Sequence, residues 1–304
     1  MNRNTSPPVA PDLSLVGTEE FAERIAILVK ATVDSGRFRP PLLPHVAVKL
    51  NTIASRLDVD IADVEETVIK DPSIAARLVS VANSALYARG TPVTSLRASI
   101  VRLGIPQVRD VAFQVVTMTK LFRVPGYTER IAAVFNTAHS AGLIAKQVCL
   151  MRGGETDSAY LAGLLHDIGE VAVLGIVADA YQKIGRPPPL DDLRVAILRH
   201  HAQVGSYVCD KWRLSDVIVD SVNHHHDASK SRHKQKMAYV VALTDMLLAH
   251  AGIGTDWVPM TKASEPVFEQ LGIRGDKVDF LLRFAESLAQ PAQEPPPDPP
   301  GVPG

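Results

Sequence analysis

The chain has 304 residues, 46% of them hydrophobic, enough to bury one large or two modest cores, which excludes a disordered polymer. Its 32 basic and 33 acidic residues leave a formal net charge of -1, so no global field steers it onto nucleic acid or an anionic membrane. Two cysteines, Cys149 and Cys209, exclude a disulfide framework and point to a reducing compartment. The first 30 residues carry neither a secretory nor a transit pattern, and no run of 18 uninterrupted apolar residues is present. The expectation is a cytoplasmic protein without a membrane or nucleic-acid partner.

Residues 1–17 mix Asn, Ser and Pro, and the segment 289–304 is proline-rich; both are expected to be unstructured tails. Between them the apolar spacing is helical and no alternating β-branched run calls for a sheet, so the fold class is all-α. A first helical lobe is expected over 18–125. In it, Val46, Leu50, Ile53 and Leu57 form one stripe. Asp71 can cap a helix that Pro72 opens, with Ile74, Leu78 and Val81 on one face. The segment from Thr91 to Phe113 reads as two helices broken at Gly104 to Pro106. Asn83 and Ser84 read as helix terminators, with Arg77 and Tyr87 beside them open to a recognition role.

Pro125 and Gly126 mark a second boundary, and a second helical lobe is expected over 126–288, closed by one or two helices after Pro259. Nine of the ten histidines lie between His139 and His250. A helix carrying Leu161, Leu164, Leu165, Ile168 and Val171 is apolar over most of its circumference, and on it His166 and Asp167 are consecutive, ~100° apart. An imidazole and a carboxylate so placed can converge on one ion, and an unpaired carboxylate buried there would cost several kcal/mol. The doublet can equally be a helix-end pair near Gly169. His225 and His226 continue the stripe of Ile218 and Val222; Asp245 shares a face with Val241 and Leu248; of the pair His200 and His201, one faces inward, and His201 is assigned to that side. Trp212 reads as a core anchor.

The blocks "PPLLPHVAVKL", "IKDPSIAARLVSVANSALY", "VTSLRASIVRLGIPQVRDVAF", "AHSAGLIAKQV", "YLAGLLHDIGE", "HAQVGSYVCDKWRLSDVIVDSVNHHHD" and "VVALTDMLL" stand in one order that resembles the HDOD family, a regulatory branch of the HD superfamily of metal-dependent phosphohydrolases. The resemblance runs from about Arg37 to Ala285. It implies a two-lobed helical fold and, position by position, a metal-ligand set of His139, His166, Asp167, His201, His225, His226 and Asp245. Iron, manganese or another divalent ion is the implied cofactor. Three departures stand out: Glu170 where the related cyclic di-GMP phosphodiesterases carry a lysine, "DASKSRHK" where they carry a Gly-Tyr-Pro segment, and Phe135 where they carry a glutamate. A carboxylate at position 170 is expected to repel a phosphodiester. The reading favoured is therefore a regulatory protein that binds other signalling proteins or a ligand through a degenerate site. The alternative is a phosphohydrolase acting on a nucleotide or cyclic dinucleotide, with Asp167 central to its chemistry.

Overall fold

Short polar side chains set where the helices begin. In the computed structural model, which describes residues 11–54, 56, 58–84, 86–88, 91–117, 124–154, 156, 158–182, 185–232, 236–254 and 265–289, all regular structure among the described residues is helical. Thr18 accepts from the Phe21 amide at the start of α1 (Glu19–Asp34). The stripe of Val46, Leu50 and Ile53 is buried on α2 (His45–Ala54), while Leu57 lies outside the described residues. Asp60 caps α3 (Ile61–Val68). Asp71 caps α4 (Pro72–Ala82), accepting from the Ser73 and Ile74 amides with Pro72 in the first turn, as its sequence predicts. Ser95 caps α5 (Leu96–Leu103), and Gly104, at φ +76°, turns the chain into α6 (Ile105–Val116). The break expected at that glycine is present.

The second half is built on α7 (Thr128–Arg152), α8 (Ala159–Leu165), α9 (Ile168–Tyr181), α10 (Arg194–Lys211), α11 (Asp216–His224), α12 (Met237–His250), α13 (Glu265–Leu271) and α14 (Asp276–Ala289). Helices α2 to α6 pack among themselves, and α7 to α12 form the second group, which gives two helical lobes. The helix α1 precedes the first group in sequence but packs on α10 and α9. One continuous set of buried side chains runs from Phe21 through Val116 to Val222 and so crosses the junction, with a second set formed by α7, α8, α12, α13 and α14. Trp212 anchors the seam: it is 8% exposed and its Nε1 donates to the Pro41 carbonyl at 2.8 Å.

Two expectations need correction. Residues 11–17 are not a loose tail, because the Tyr181 hydroxyl donates to the Pro11 carbonyl (2.6 Å) and the Gly17 amide donates to Asp192 (3.0 Å), while Leu13, Leu15 and Val16 pack on the core. Residues 1–10 and 290–304 lie outside the described residues. The single helix expected through the His166–Asp167 pair is two helices, α8 and α9, which meet at those residues. The stretch Ala159–Tyr181 is long and apolar enough to cross a membrane by composition, yet its most apolar window is 83% buried inside the fold, as a core element is.

Candidate metal centre

The junction of α8 and α9 is where the candidate site forms. His166 closes α8 and donates from Nδ1 to the Gly163 carbonyl at 2.7 Å, which fixes the tautomer and turns Nε2 inward. That Nε2 is fully buried and lacks a hydrogen bond of good geometry. It lies 3.1 Å from Asp167 Oδ2 and 3.6 Å from Asp245 Oδ1, the latter brought in by α12. Burial would depress the His166 imidazole, but the two carboxylates, Asp167 foremost, hold it well above its ordinary value.

A second group adjoins the first. His201 on α10 donates from Nδ1 to the Ile197 carbonyl, and His225 at the end of α11 donates from Nδ1 to the Val222 carbonyl, each at 2.7 Å. Both rings thereby aim a lone pair from Nε2 at the same space, and the two Nε2 atoms are 3.3 Å apart. His226 Nε2 is 2.8 Å from His201 Nε2. Burial, then the neighbouring His226, His201 and His166, push the His225 imidazole well below its ordinary value, so it is neutral.

Asp167 joins the groups. One oxygen faces His166, and the other lies 3.5 Å from His201 Nε2 and 3.7 Å from His225 Nε2. Burial alone would raise its carboxyl, but His166, with His201 and His225 behind it, holds it well below the usual carboxylate range. In each of the two groups, His166–Asp167–Asp245 and His201–His225–His226, the donor atoms lie within 4.8 Å of one another. The donor set fits a cation: two acceptor lone pairs that face each other at 3.3 Å are an arrangement that a shared positive charge relieves.

The convergence depends on backbone contact between α9 and α10. A Cβ added to Gly169 would stand 1.8 Å from the His201 carbonyl oxygen and 2.5 Å from the Gly205 amide nitrogen. Only glycine lets the first turn of α9 touch the turn that carries His201. In the sequence Gly169 can mark a helix end; in the fold, paired with Gly205, it sets the approach of these two helices.

Six of the expected ligands are thus brought together, and His139 is not. Its Nδ1 shares a 2.9 Å hydrogen bond with the Tyr160 hydroxyl, and it belongs to neither group. Burial, reinforced by the Arg77 charge, lowers its pKa to about 4. The reason is local: in the first part of α7 the ring is turned against the aromatic edge of Tyr160, with ring centroids 6.2 Å apart. His200 is half-buried against α1 rather than solvated, and its imidazole is lowered first by burial and then by Lys30.

Arg130 went unnoticed in the sequence. Its guanidinium, in the first turn of α7, holds Glu170 through paired contacts, Nη2 to Oε2 at 3.0 Å among them, and both side chains are at least nine-tenths buried. Glu170 is therefore neutralised by the protein itself, which corrects the expectation that it stands as a naked repelling charge. Burial still raises its carboxyl despite Arg130. A lone arginine forty residues upstream gives no sequence signal for this pairing. The charges acting most strongly on Asp167, His225 and His226 are other histidines and the two aspartates, with no Lys or Arg among them.

Residues 41–228 match the HDOD domain family. Among solved structures, the chain is similar to a suggested metal-dependent phosphohydrolase from Shewanella amazonensis SB2B, with TM-score 0.67, 21% identity, and coverage of 88% of this chain and 99% of that one. It is also similar to an HDOD domain protein of unknown function from Geobacter sulfurreducens, with TM-score 0.62, 23% identity and coverage of 87% and 89%. A cyclic di-GMP phosphodiesterase of Pseudomonas aeruginosa is 34% identical over 95 residues, 29% of this chain and 22% of that protein. The chain spans less than half the length of the curated relatives it matches, 42% of an uncharacterised Treponema pallidum protein being the larger share.

Proposed function

The chain belongs to the HDOD family, and on that premise we propose that it is a regulatory signalling protein whose second lobe holds a metal centre and which acts by binding other signalling proteins or a ligand rather than by turnover. The observation that carries this reading is the buried Arg130–Glu170 pair beside the six-residue cluster. The guanidinium that could have gripped a phosphate is spent on a protein carboxylate.

His166, Asp167 and Asp245 would hold one ion, and His201, His225 and His226 a second, with Asp167 facing both. Imidazole and carboxylate donors without sulfur suit iron or manganese. When bound, such ions supply fixed positive charge that polarises a phosphoryl oxygen. The chain's own residues do the rest: three backbone carbonyls orient the rings of His166, His201 and His225, and Gly169 fixes the spacing. Because the unfolded chain does not gather these donors, ion loading contributes to folding free energy, and because it needs neutral imidazoles and ionised carboxylates it weakens as pH falls.

One observation favours a phosphodiesterase as the second reading. The side chains of Asp167, Asp245 and His226 are 20%, 16% and 41% exposed, so the cluster opens to solvent on that side, where a cyclic dinucleotide could approach. Elemental analysis of untagged protein, followed by assays with cyclic di-GMP and bis(p-nitrophenyl) phosphate, separates the readings. Bound metal without turnover is expected. Turnover that Asp167→Ala abolishes in a folded protein would replace the regulatory reading with the enzymatic one, and absence of metal would end both.

A further inference from the structure

The histidine left out of the metal groups lines a second cavity. It has a volume of about 240 Å³ and opens between the two lobes, with α4 and α6 on one side and α7, α8 and the end of α14 on the other. None of the six clustered ligands lines it. Its rim is exposed and polar, formed by Arg77, Ser80 and Ser84, and its floor is buried, formed by Gln107, Gln114 and Tyr160.

Three features make this a built recess. First, Arg77 forms no ion pair or hydrogen bond with another described residue, although its charge acts on His139 and Tyr160. Second, Gln107 Oε1 is fixed by two donors, the Tyr87 hydroxyl and Lys146 Nζ, each at 2.8 Å, so the floor is rigid and carries a second positive charge. Asp110, held by Arg109 at 2.8 Å, acts on Tyr87 and Tyr160 more strongly than Arg77 does, so the negative charge lies at the floor and the unpaired positive charge at the rim. Third, Gln114 is 3% exposed and its Oε1 finds no donor. An unpartnered buried acceptor costs about 1–3 kcal/mol, a cost that an entering N–H or O–H group removes. The walls between rim and floor include Val81, Val111 and Leu143.

We propose that this interlobe cavity binds a small organic anion with an apolar body, its negative group held at the rim by Arg77 and a hydrogen-bond donor reaching the floor at Gln114. The volume falls below the range for drug-sized ligands and suits a molecule of one ring. Since helices of both lobes line the cavity, occupancy bears on how they are held together. The proposal does not depend on the metal centre.

Calorimetric titration of the full chain tests it with 4-hydroxybenzoate as probe, benzoate as the analogue lacking the donor, and inorganic phosphate as the anion lacking the body. Saturable binding of 4-hydroxybenzoate at one site is expected, weaker for benzoate and absent for phosphate. Arg77→Ala, at an exposed position on α4, should weaken it at least tenfold, and Ser80→Trp, which fills the mouth, should abolish it, with metal content unchanged in both. No binding of either benzoate at millimolar concentration overturns the proposal, as does binding that both variants leave intact. Loss of metal without loss of probe binding would count against the metal centre alone.

Discussion

The two halves of the metal cluster differ in what they can do without an ion. In the His166 group an imidazole lies between two carboxylates, and a single proton on that ring satisfies the charges; the raised pKa of His166 reflects this. In the His201 group that remedy is weaker, because burial and the neighbouring imidazoles keep His225 neutral, so the Nε2 acceptors of His201 and His225 face each other at 3.3 Å. A buried His–Asp pair can thus be an ordinary ion pair. Converging imidazoles with fixed tautomers are the stronger sign of a cation site.

The harshest way to break the comparison is to remove both halves together. Gly169→Val would drive a side chain into the His201 carbonyl and separate α9 from α10; a loss of about 3 kcal/mol or more in urea unfolding is expected, together with all bound metal. Asp167→Ala should strip metal from both groups, because its oxygens face each of them, whereas Asp245→Ala should cost the His201 group less, since Asp245 reaches that group only at His226, 3.9 Å away. Metal-to-protein ratios measured on the folded variants check this, and equal losses would mean that the halves act as one site.

His139 provides a reference outside the cluster. Its pKa of about 4 in the folded chain lies below the ordinary 6.5, so the unfolded state binds the extra proton first. Its stabilising contribution is complete above pH 6.5 and is lost as pH falls toward 4. Between pH 7 and 5 the decline in unfolding free energy should be about 2 kcal/mol smaller in His139→Gln than in the unaltered chain. The smallest effect is expected from Glu170→Gln, which frees part of the Arg130 charge: affinity for a non-hydrolysed phosphodiester should rise a few-fold by calorimetry, and no change would remove the pairing as an argument against turnover.

Much of the fold was legible because its signals are local. Asp71 followed by Pro72 specifies a helix start through groups one to three residues apart, and Gly104 specifies a break through its own φ. The break between α8 and α9 was harder, since the apolar run from Leu161 to Val171 satisfies helical periodicity on both sides of it. Pro11 and Gly17 looked like a tail because their partners, Tyr181 and Asp192, lie about 170 residues away.

For the candidate site, the chemistry of each donor is written in its residue type, so the sequence by itself determined which imidazoles and carboxylates were available, at His139, His166, Asp167, His201, His225, His226 and Asp245. It also determined the all-helical class, since a spacing of 3.6 residues is a property of consecutive positions. Only the tertiary structure decided that Asp167 faces both groups, that His139 turns away to Tyr160, and that Arg130 neutralises Glu170. The direction in which a ring nitrogen points depends on how closely two helices pack, and that distance is set here by Gly169 against the backbone of a helix more than thirty residues further along the chain.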